Sequence, residues 1–207
     1  QGGFDELAMT AGAGGIGAGI ARAFVESGAR VHVCDVDTAG LDRITTELPG
    51  LSATRADVSD TAQVERLFDD VGQALGGLDV LVNNAGIAGP TGGIDQMNAE
   101  DWQRTIDINL NGQYQLAHRA VPLLKASPNN PCLIAMASVA GRLGYGFRTP
   151  YAATKWAIVG LVKSLAIELG PSGVRANAIL PGIVEGERMN RVIAARAQTV
   201  GVDFETM

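Results

Sequence analysis

The stretch TAGAGGIG, at residues 10–17, places four glycines between an apolar segment and a helical pattern. Glycines at such a turn let the chain reverse sharply and let backbone N–H groups approach a pyrophosphate at the positive end of a helix. Gly12, Gly14 and Gly17 fit the spacing G-x-G-x-x-G, whereas Gly15 and Gly17 fit the end of T-G-x-x-x-G-x-G. Because a glycine-rich turn also serves tight helix packing, this stretch alone leaves a purely structural interpretation open.

Short apolar segments alternate with longer helical patterns along the rest of the chain. The predicted strands cover residues 6–10, 30–35, 51–56, 78–82, 132–137 and 174–180. The predicted helices cover residues 15–27, 38–48, 61–75, 100–126 with a break near Gly112, 150–169 and 187–197. This repeated order favours a parallel sheet with right-handed crossovers and helices on both faces. We therefore predict an α/β fold with a doubly wound parallel sheet, formed by residues 1–207 as a single domain.

The composition argues against several classes of protein. The chain has 207 residues, 46% of them hydrophobic, and a formal net charge of −6. This acidic balance argues against binding to nucleic acid or to an anionic membrane surface, and no apolar run reaches the roughly 18 residues of a membrane-spanning helix. Cys34 and Cys132 lie far apart in apolar segments and are expected to be reduced, which favours the cytoplasm. No metal is expected, because His, Cys and carboxylate residues do not cluster at metal-binding spacing.

Two aspartates end predicted strands that follow the glycine turn. Asp35 ends the second strand, 18 residues after Gly17, where a carboxylate can accept hydrogen bonds from an adenosine ribose. Its charge would repel a 2′-phosphate, so the pattern favours NAD over NADP; a solvated aspartate at a strand end is the alternative. Asp57 ends the third strand and can accept from an adenine amino group or cap the next helix, a role that Ser59 or Asp60 can fill equally well.

A Tyr-x-x-x-Lys pair lies on the long predicted helix at 150–169. Tyr151 and Lys155 are four residues apart and therefore share one helical face. An ammonium beside a phenol favours the ionised phenol, which makes the pair a candidate general base or acid. Ser138 follows the apolar run CLIAMA at 132–137, so its hydroxyl is expected at the carboxyl end of a buried strand, beside the phenol. A cation packed beside an ordinary tyrosine is the structural alternative.

Six features in this order resemble the short-chain dehydrogenase/reductase family: TAGAGGIG at 10–17, NNAG at 83–86, Asn109 within DINLN, Ser138, YAATK at 151–155 and PG at 181–182. They span nearly the whole chain. The resemblance implies a Rossmann-type fold, use of NAD(P), a small-molecule substrate and a Ser–Tyr–Lys site. In this pattern Tyr151 transfers the hydroxyl proton, while Ser138 orients the substrate oxygen. Lys155 binds the nicotinamide ribose and assists Tyr151, and Asn109 kinks a helix and holds a water for proton relay.

The resemblance also implies which residues bind the cofactor, which we expect to be NAD. These residues are Thr10, Gly12, Gly14, Gly15, Ile16, Gly17, Asp35, Asp57, Val58, Asn84, Ala85, Gly86, Tyr151, Lys155, Pro181, Gly182 and Val184. The NNAG turn is expected along the adenosine side of the cofactor. A homo-oligomer, either a dimer or a tetramer, is implied as well, with contacts through the helices at 100–126 and 150–170.

The sequence departs from the family pattern in two places. Ala11 stands where the family usually has its first glycine. If that position needs a positive φ, alanine costs on the order of 1 kcal/mol, and we expect the neighbouring Gly12 to take up the turn instead. The chain also ends at Met207, within what resembles the family's substrate loop, so we expect the family's closing helix and seventh strand to be missing.

These features predict an oxidoreductase that transfers a hydride between NAD(H) and a secondary alcohol or ketone. Two alternatives are a nucleotide-sugar epimerase or dehydratase that retains its NAD, and a regulatory protein that binds NAD without turnover. Arg148 lies between Ser138 and Tyr151 and has several possible roles. It can bind a substrate carboxylate or sulfonate, or it can be a solvated or intersubunit residue. The substrate and its stereochemistry stay open.

Overall fold

Parallel strands alternate with α-helices in the computed structural model, which describes residues 5–206. The strands are β1 Glu6–Thr10, β2 Arg30–Asp35, β3 Ser52–Arg55, β4 Val80–Asn83, β5 Cys132–Met136 and β6 Arg175–Ile179. The helices are α1 Gly15–Glu26, α2 Thr38–Glu47, α3 Thr61–Leu75, α4 Ala99–Ile106, α5 Gly112–Ala126, α6 Thr149–Leu169 and α7 Glu187–Val200. The predicted order of strands and helices is therefore confirmed.

The six strands form one sheet in the order β3-β2-β1-β4-β5-β6, and every neighbouring pair is parallel. The prediction of a doubly wound parallel sheet is confirmed. Because the chain returns to the centre of the sheet after β3, the strand order reverses between β1 and β4. Ligands of such sheets bind outside the carboxyl ends of the strands at that reversal. The fold therefore directs attention to the segments that follow Thr10 and Asn83.

Apolar side chains on both faces of the sheet hold the helices in place. All four residues of β4 are buried, as expected for a strand covered on both sides. On α3, Val64, Leu67 and Val71 form one buried stripe at helical spacing. The carboxylate of Asp60 caps this helix by accepting hydrogen bonds from the second and third backbone N–H groups that follow it. Asp60, not Asp57, therefore fills the capping role that the sequence left open.

The predicted helix at 100–126 is broken by one wide turn. α4 and α5 are joined by a π-helical segment, Asp107–Asn111, so the predicted break near Gly112 is confirmed and lies just before that residue. α5 begins at Gly112, where the helix packs against Val58. A Cβ at Gly112 would lie 2.8 Å from Val58 Cγ2, so a side chain would not fit there. The π turn places Asn109 inside the protein, with none of its surface exposed. Such turns occur frequently at functional sites.

A buried carboxylate ties the amino-terminal ends of β1 and β4 together. Asp79 is 1% exposed and accepts hydrogen bonds from the backbone N–H groups of Asp5 and Glu6, from Ser127 Oγ at 2.5 Å and from Asn129 Nδ2. Burial alone would raise the pKa of this carboxyl, but the hydrogen bonds outweigh burial and hold the pKa below its ordinary value. The ionised form of Asp79 therefore stabilises the fold.

Replacing Asp79 with Asn is expected to lower the free energy of unfolding at pH 7 by about 2 kcal/mol, because a carboxamide turns N–H groups toward these donors. The pKa of Asp79 in the folded state lies below its unfolded-state value of about 3.9. The carboxylate therefore stabilises the folded state fully above about pH 4, and this stabilisation is lost as the pH falls through the folded-state pKa. Urea unfolding at pH 7 and about pH 2.5 measures both effects. Asp69→Asn, at an exposed site on α3, is the control, and an equal loss there would contradict the assignment.

Candidate active site

The ends of β1 and β4 are locked together where the strand order reverses. Thr10 Oγ1 accepts hydrogen bonds from the backbone N–H groups of Asn84 and Ala85 at 3.0 and 2.9 Å. In return, Asn84 Nδ2 donates to the carbonyl oxygens of Thr10 and Ala11 at 3.2 and 3.1 Å. Thr10 and Asn84, both predicted to bind a cofactor, therefore hold the glycine turn and the NNAG turn in fixed register.

The glycine turn begins with a left-handed residue that is not a glycine. Ala11 adopts φ +52°, so the expectation that Gly12 takes up the turn is wrong. Gly12 is instead needed for packing, because a Cβ there would lie 2.6 Å from Val33 Cβ on β2. Gly17 is tighter still, since a Cβ there would lie 1.9 Å from the carbonyl oxygen of Ala11. Both glycines therefore fix the path of the turn.

The remaining glycines leave space in front of α1. A Cβ at Gly14 or Gly15 would meet no atom within 4 Å, and Gly14 is the cap residue of α1 without a side-chain cap. The first N–H groups of the helix consequently face an open cradle, bordered by Ile16, which is 38% exposed although it is apolar. Backbone N–H groups and the positive helix end suit a phosphate group. The cradle therefore fits the pyrophosphate of a dinucleotide.

Asp35 and Asp57 lie at the carboxyl ends of neighbouring strands beside this cradle. The half-buried carboxylate of Asp35 accepts from the backbone N–H groups of Ala13 at 3.2 Å and Asp37 at 3.1 Å. One oxygen of Asp57 accepts from the N–H and the hydroxyl of Ser59. Hydrogen bonds thus orient both carboxylates. Val58, the other residue predicted here, is buried against the start of α5.

Tyr151 and Lys155 occupy one face of α6, as their spacing predicts. Lys155 is 3% exposed, and its Nζ donates to the carbonyl oxygen of Met136 at 2.7 Å, at the carboxyl end of β5. The same Nζ lies 5.6 Å from the centroid of the Tyr151 ring. A Cβ on Gly86 would lie 3.5 Å from it, so the NNAG turn passes directly beside this ammonium group. The structure therefore brings a buried cation to the phenol.

Ser138 lies two residues beyond the carbonyl group that Lys155 binds. Its Oγ accepts the backbone N–H of Ala140 at 3.2 Å, and the residue is 9% exposed. The next residue, Val139, donates its N–H to the carbonyl oxygen of Pro181 at 3.0 Å. The segment after β6, with Gly182 and Val184, therefore starts beside the serine. Gly182 and Val184 themselves are exposed.

Asn109 is linked to the Tyr-x-x-x-Lys helix through a residue that the sequence analysis missed. Its Oδ1 accepts the N–H of Ile87 at 2.7 Å, and its Nδ2 donates to the carbonyl oxygen of Ile87 at 3.0 Å and to Thr154 Oγ1 at 3.3 Å. Thr154 Oγ1 in turn donates to the carbonyl oxygen of Tyr151. The signal in the sequence that could have identified Thr154 is its position one residue before Lys155. This chain joins the π turn, the segment after β4 and α6.

Arg148 is not a solvated residue, one of the roles that the sequence left open. It is 2% exposed, and its Nη2 donates to the carbonyl oxygen of Ala88 at 2.6 Å. Its guanidinium carbon lies 5.1 Å from the centroid of the Tyr151 ring. Sequence reasoning placed Arg148 near the substrate pocket but did not predict its burial against the tyrosine.

Among the side chains that the structure describes, no group of three or more His, Cys, Asp or Glu residues is arranged to hold a metal ion. None of the helices in residues 5–206 is both long enough and apolar enough to cross a membrane.

Comparison with known proteins agrees with this geometry. A family model described as enoyl-(acyl carrier protein) reductase matches residues 11–201. A protein named short chain dehydrogenase/reductase dpchG from Colletotrichum higginsianum is 36% identical over 88% of this chain and 70% of its own length. L-fucose dehydrogenase from Oryctolagus cuniculus is 40% identical, and the match covers 85% of this chain and 61% of that enzyme. The chain thus spans less than two thirds of the rabbit enzyme.

Solved structures with nicotinamide cofactors share the fold. A 3-ketoacyl-(acyl-carrier-protein) reductase from Brucella melitensis in complex with NADH has a TM-score of 0.86 at 30% identity, covering 89% of this chain and 78% of its own. An actinorhodin polyketide ketoreductase variant with NADPH has a TM-score of 0.91 at 30% identity, covering 98% and 79%. Together with the glycine cradle and the Ser–Tyr–Lys constellation, these matches show that the chain belongs to the short-chain dehydrogenase/reductase family of NAD(P)-dependent oxidoreductases acting on CH–OH groups.

Proposed function

We propose that this protein is an NAD-dependent dehydrogenase that interconverts a secondary alcohol and a ketone, with Tyr151 as the general acid/base. The observation that carries the proposal is the position of Lys155. Its buried Nζ is bonded to Met136 at the end of β5, 5.6 Å from the Tyr151 ring, and Ser138 follows on the same strand end. A lysine with only a structural role would not need to be buried beside a phenol and a serine. Alcohol-dependent reduction of NAD tests the activity.

The residues of the chain divide the proton chemistry among them. When bound, the nicotinamide takes a hydride from the carbinol carbon or returns it to the ketone. Tyr151 takes the hydroxyl proton during oxidation and gives it back during reduction. Ser138 Oγ accepts the N–H of Ala140 and can still donate its own proton to the substrate oxygen. Lys155 places its Nζ 5.6 Å from the centroid of the Tyr151 ring, beside the group that exchanges the proton.

The positions of the predicted cofactor residues support the proposal that they hold the cofactor and form one domain. Gly14, Gly15 and Ile16 border the open cradle that suits a pyrophosphate. The NNAG turn beside Lys155 and the Pro181–Gly182 segment beside Ser138 flank the nicotinamide end in this proposal. Residues 1–207 act in it as one NAD-binding domain.

The charge of Asp35 supports a preference for NAD over NADP. Two unit charges about 5 Å apart repel by about 3 kcal/mol at an effective dielectric constant of 20, so a 2′-phosphate beside this carboxylate is strongly disfavoured. We expect kcat/KM to favour NAD at least about tenfold, and Asp35→Asn to reduce that preference to less than about threefold. Initial rates with both cofactors measure the ratio.

The control for Asp35 is Asp42→Asn, because Asp42 is an exposed carboxylate on the neighbouring helix α2. It removes the same formal charge and is expected to leave the cofactor preference unchanged. An NADP preference in the wild-type protein, or an equal effect of both substitutions, would contradict the role of Asp35. Asparagine at 35 keeps one oxygen for the N–H of Ala13, so the turn itself is expected to survive.

The exposed face of α6 supports a homo-oligomer, either a dimer or a tetramer. One side of α6 packs into the core through Ile158 and Val162. The opposite side exposes Trp156 at 51% and Ile167 at 81%, with Gly160 between them. Lys163 is exposed on the same side, between Gly160 and Ile167, so this face combines apolar, small and charged residues. We propose that a second copy of the chain covers this face.

The two cysteines support the cytoplasm as the compartment that we propose. Both are buried free thiols. Burial and the nearby charge of Asp35 raise the pKa of Cys34 to about 12, so that it stays a protonated, unreactive thiol at neutral pH. Buried reduced thiols are typical of proteins from a reducing compartment.

A further inference from the structure

Arg148 is held inside the protein by a strained turn. The residue directly before it, Phe147, adopts φ +62°, a conformation that bulky side chains rarely adopt. The carbonyl oxygen of Phe147 accepts the N–H of Gly92, and Arg148 Nη2 donates to the carbonyl oxygen of Ala88. The segment that follows β4 is therefore clamped to this turn at two points. Backbone strain of this kind concentrates at functional sites.

The Arg148 guanidinium lies between two tyrosine rings. Its central carbon is 5.1 Å from the centroid of the Tyr151 ring and 5.6 Å from the centroid of the Tyr145 ring. On α7, the guanidinium of Arg196 lies 5.4 Å from the Tyr145 ring as well. Arg196, Tyr145, Arg148 and Tyr151 thus form one row of alternating cations and rings. Planar guanidinium groups stack favourably on aromatic faces.

We propose that Arg148 is a positioning residue for Tyr151, a role that goes beyond and rests on the proposed dehydrogenase function. It holds the ring from the side of Tyr145 and adds a second positive charge beside Lys155. The residue is 2% exposed and its guanidinium lies against two ring faces, so its contacts with the tyrosines are the ones that the structure shows. The sequence suggests that Arg148 binds a substrate carboxylate or sulfonate, or that it is a solvated or intersubunit residue; support of Tyr151 is a role that only the structure suggests.

The charged groups around Tyr151 show what the loss of Arg148 removes from the site. Among the described side chains, Arg148 and Lys155 are the charged groups placed against its ring. The turn after β5 brings the neutral Ser138, and the π turn brings the neutral Asn109. Charged groups on the other segments packed against α6 are the exposed Glu100, Asp101 and Arg104 of α4, the exposed Arg175 of β6, and Asp107, which accepts from Gln103 and Asn111. Loss of Arg148 therefore removes one of the two cations that lie against the Tyr151 ring.

The test compares Arg148→Gln and Arg148→Lys with Arg142→Gln. Glutamine keeps an N–H donor for Ala88, and Arg142 is exposed in the same loop. We expect Arg148→Gln to lower kcat for alcohol oxidation by about tenfold and to leave KM for the alcohol within about twofold, because the ring loses its support but the substrate loses no contact. Arg148→Lys retains a cation against the ring and is expected to restore kcat to within about threefold of the wild-type value. The affinity for NADH, measured by fluorescence titration, is expected to stay within about twofold in both variants.

Three results separate the inference from the function on which it rests. Wild-type kcat in Arg148→Gln, or an equal loss of kcat in Arg142→Gln, would overturn the positioning role while the dehydrogenase function stands. Full activity of Tyr151→Phe would overturn the proposed function itself, and the inference with it. If thermal unfolding shows that Arg148→Gln is not folded, the kcat of Arg148→Lys decides, and a loss as large as about tenfold despite the retained cation would refute the positioning role.

Discussion

Replacing Tyr151 with Phe is expected to lower kcat for alcohol oxidation by about a thousandfold, while the affinity for NADH changes by less than about threefold. The substitution removes only the hydroxyl group that exchanges the proton. The ring remains in place between Arg148 and Lys155, which lie 5.1 and 5.6 Å from its centroid. Since the glycine cradle is on another part of the sheet, cofactor binding has no reason to fail. Steady-state rates and fluorescence titration with NADH measure the two quantities.

The matched control is Tyr114→Phe, because Tyr114 lies on α5 and is 56% exposed. It removes the same hydroxyl from a tyrosine outside the site, and wild-type kcat is expected. If Tyr151→Phe turned over the alcohol as fast as the control, Tyr151 would not be the group that moves the proton. A large loss of NADH binding instead would mean that the tyrosine acts mainly through the cofactor.

Replacing Gly17 with Ala is expected to weaken NADH binding by at least about a hundredfold and to lower the free energy of unfolding by about 2 kcal/mol or more. The new Cβ would lie 1.9 Å from the carbonyl oxygen of Ala11 and 2.9 Å from Asn84 Nδ2. Neither group can retreat easily, because Asn84 bonds to that same carbonyl and to Thr10. The whole turn therefore has to move. Fluorescence titration and urea unfolding measure the two losses.

Gly19→Ala is the control for this substitution. Gly19 lies two residues further along α1, and a Cβ there would meet no atom within 4 Å. Alanine inside an exposed helix is favoured over glycine, so this variant is expected to gain up to about 1 kcal/mol and to bind NADH normally. Normal NADH binding by Gly17→Ala would show that the turn is not the phosphate site.

The sheet and its helices were predictable because their signals are local. The apolar run at β5 and the period of Val64, Leu67 and Val71 on α3 predict their elements without knowledge of their neighbours. The residues at which a strand begins and ends depend instead on its partner strands. β4, for example, begins at Val80, two residues later than predicted, where pairing with β1 starts at Leu7.

The parts that the sequence could not predict depend on distant partners. The π turn around Asn109 is fixed by hydrogen bonds to Ile87, 22 residues away. The burial of Arg148 is fixed by Ala88, 60 residues away, together with the rings of two tyrosines. The left-handed Ala11 was misjudged because glycine is the better residue for a positive φ, whereas Gly12 is required here because Val33 leaves no space for a Cβ.

Ser138, Tyr151 and Lys155 are proposed to carry out alcohol–ketone chemistry with NAD. The formation of NADH by the wild-type protein, with NAD and a panel of sugars, polyols, hydroxy acids and hydroxysteroids, tests this proposal beside Tyr151→Phe. We expect at least one class to yield NADH with the wild type and none with the variant. Tight NADH binding with no turnover of any alcohol, or of the corresponding ketones in reverse, would contradict this proposal and favour a protein that binds the dinucleotide without reacting it.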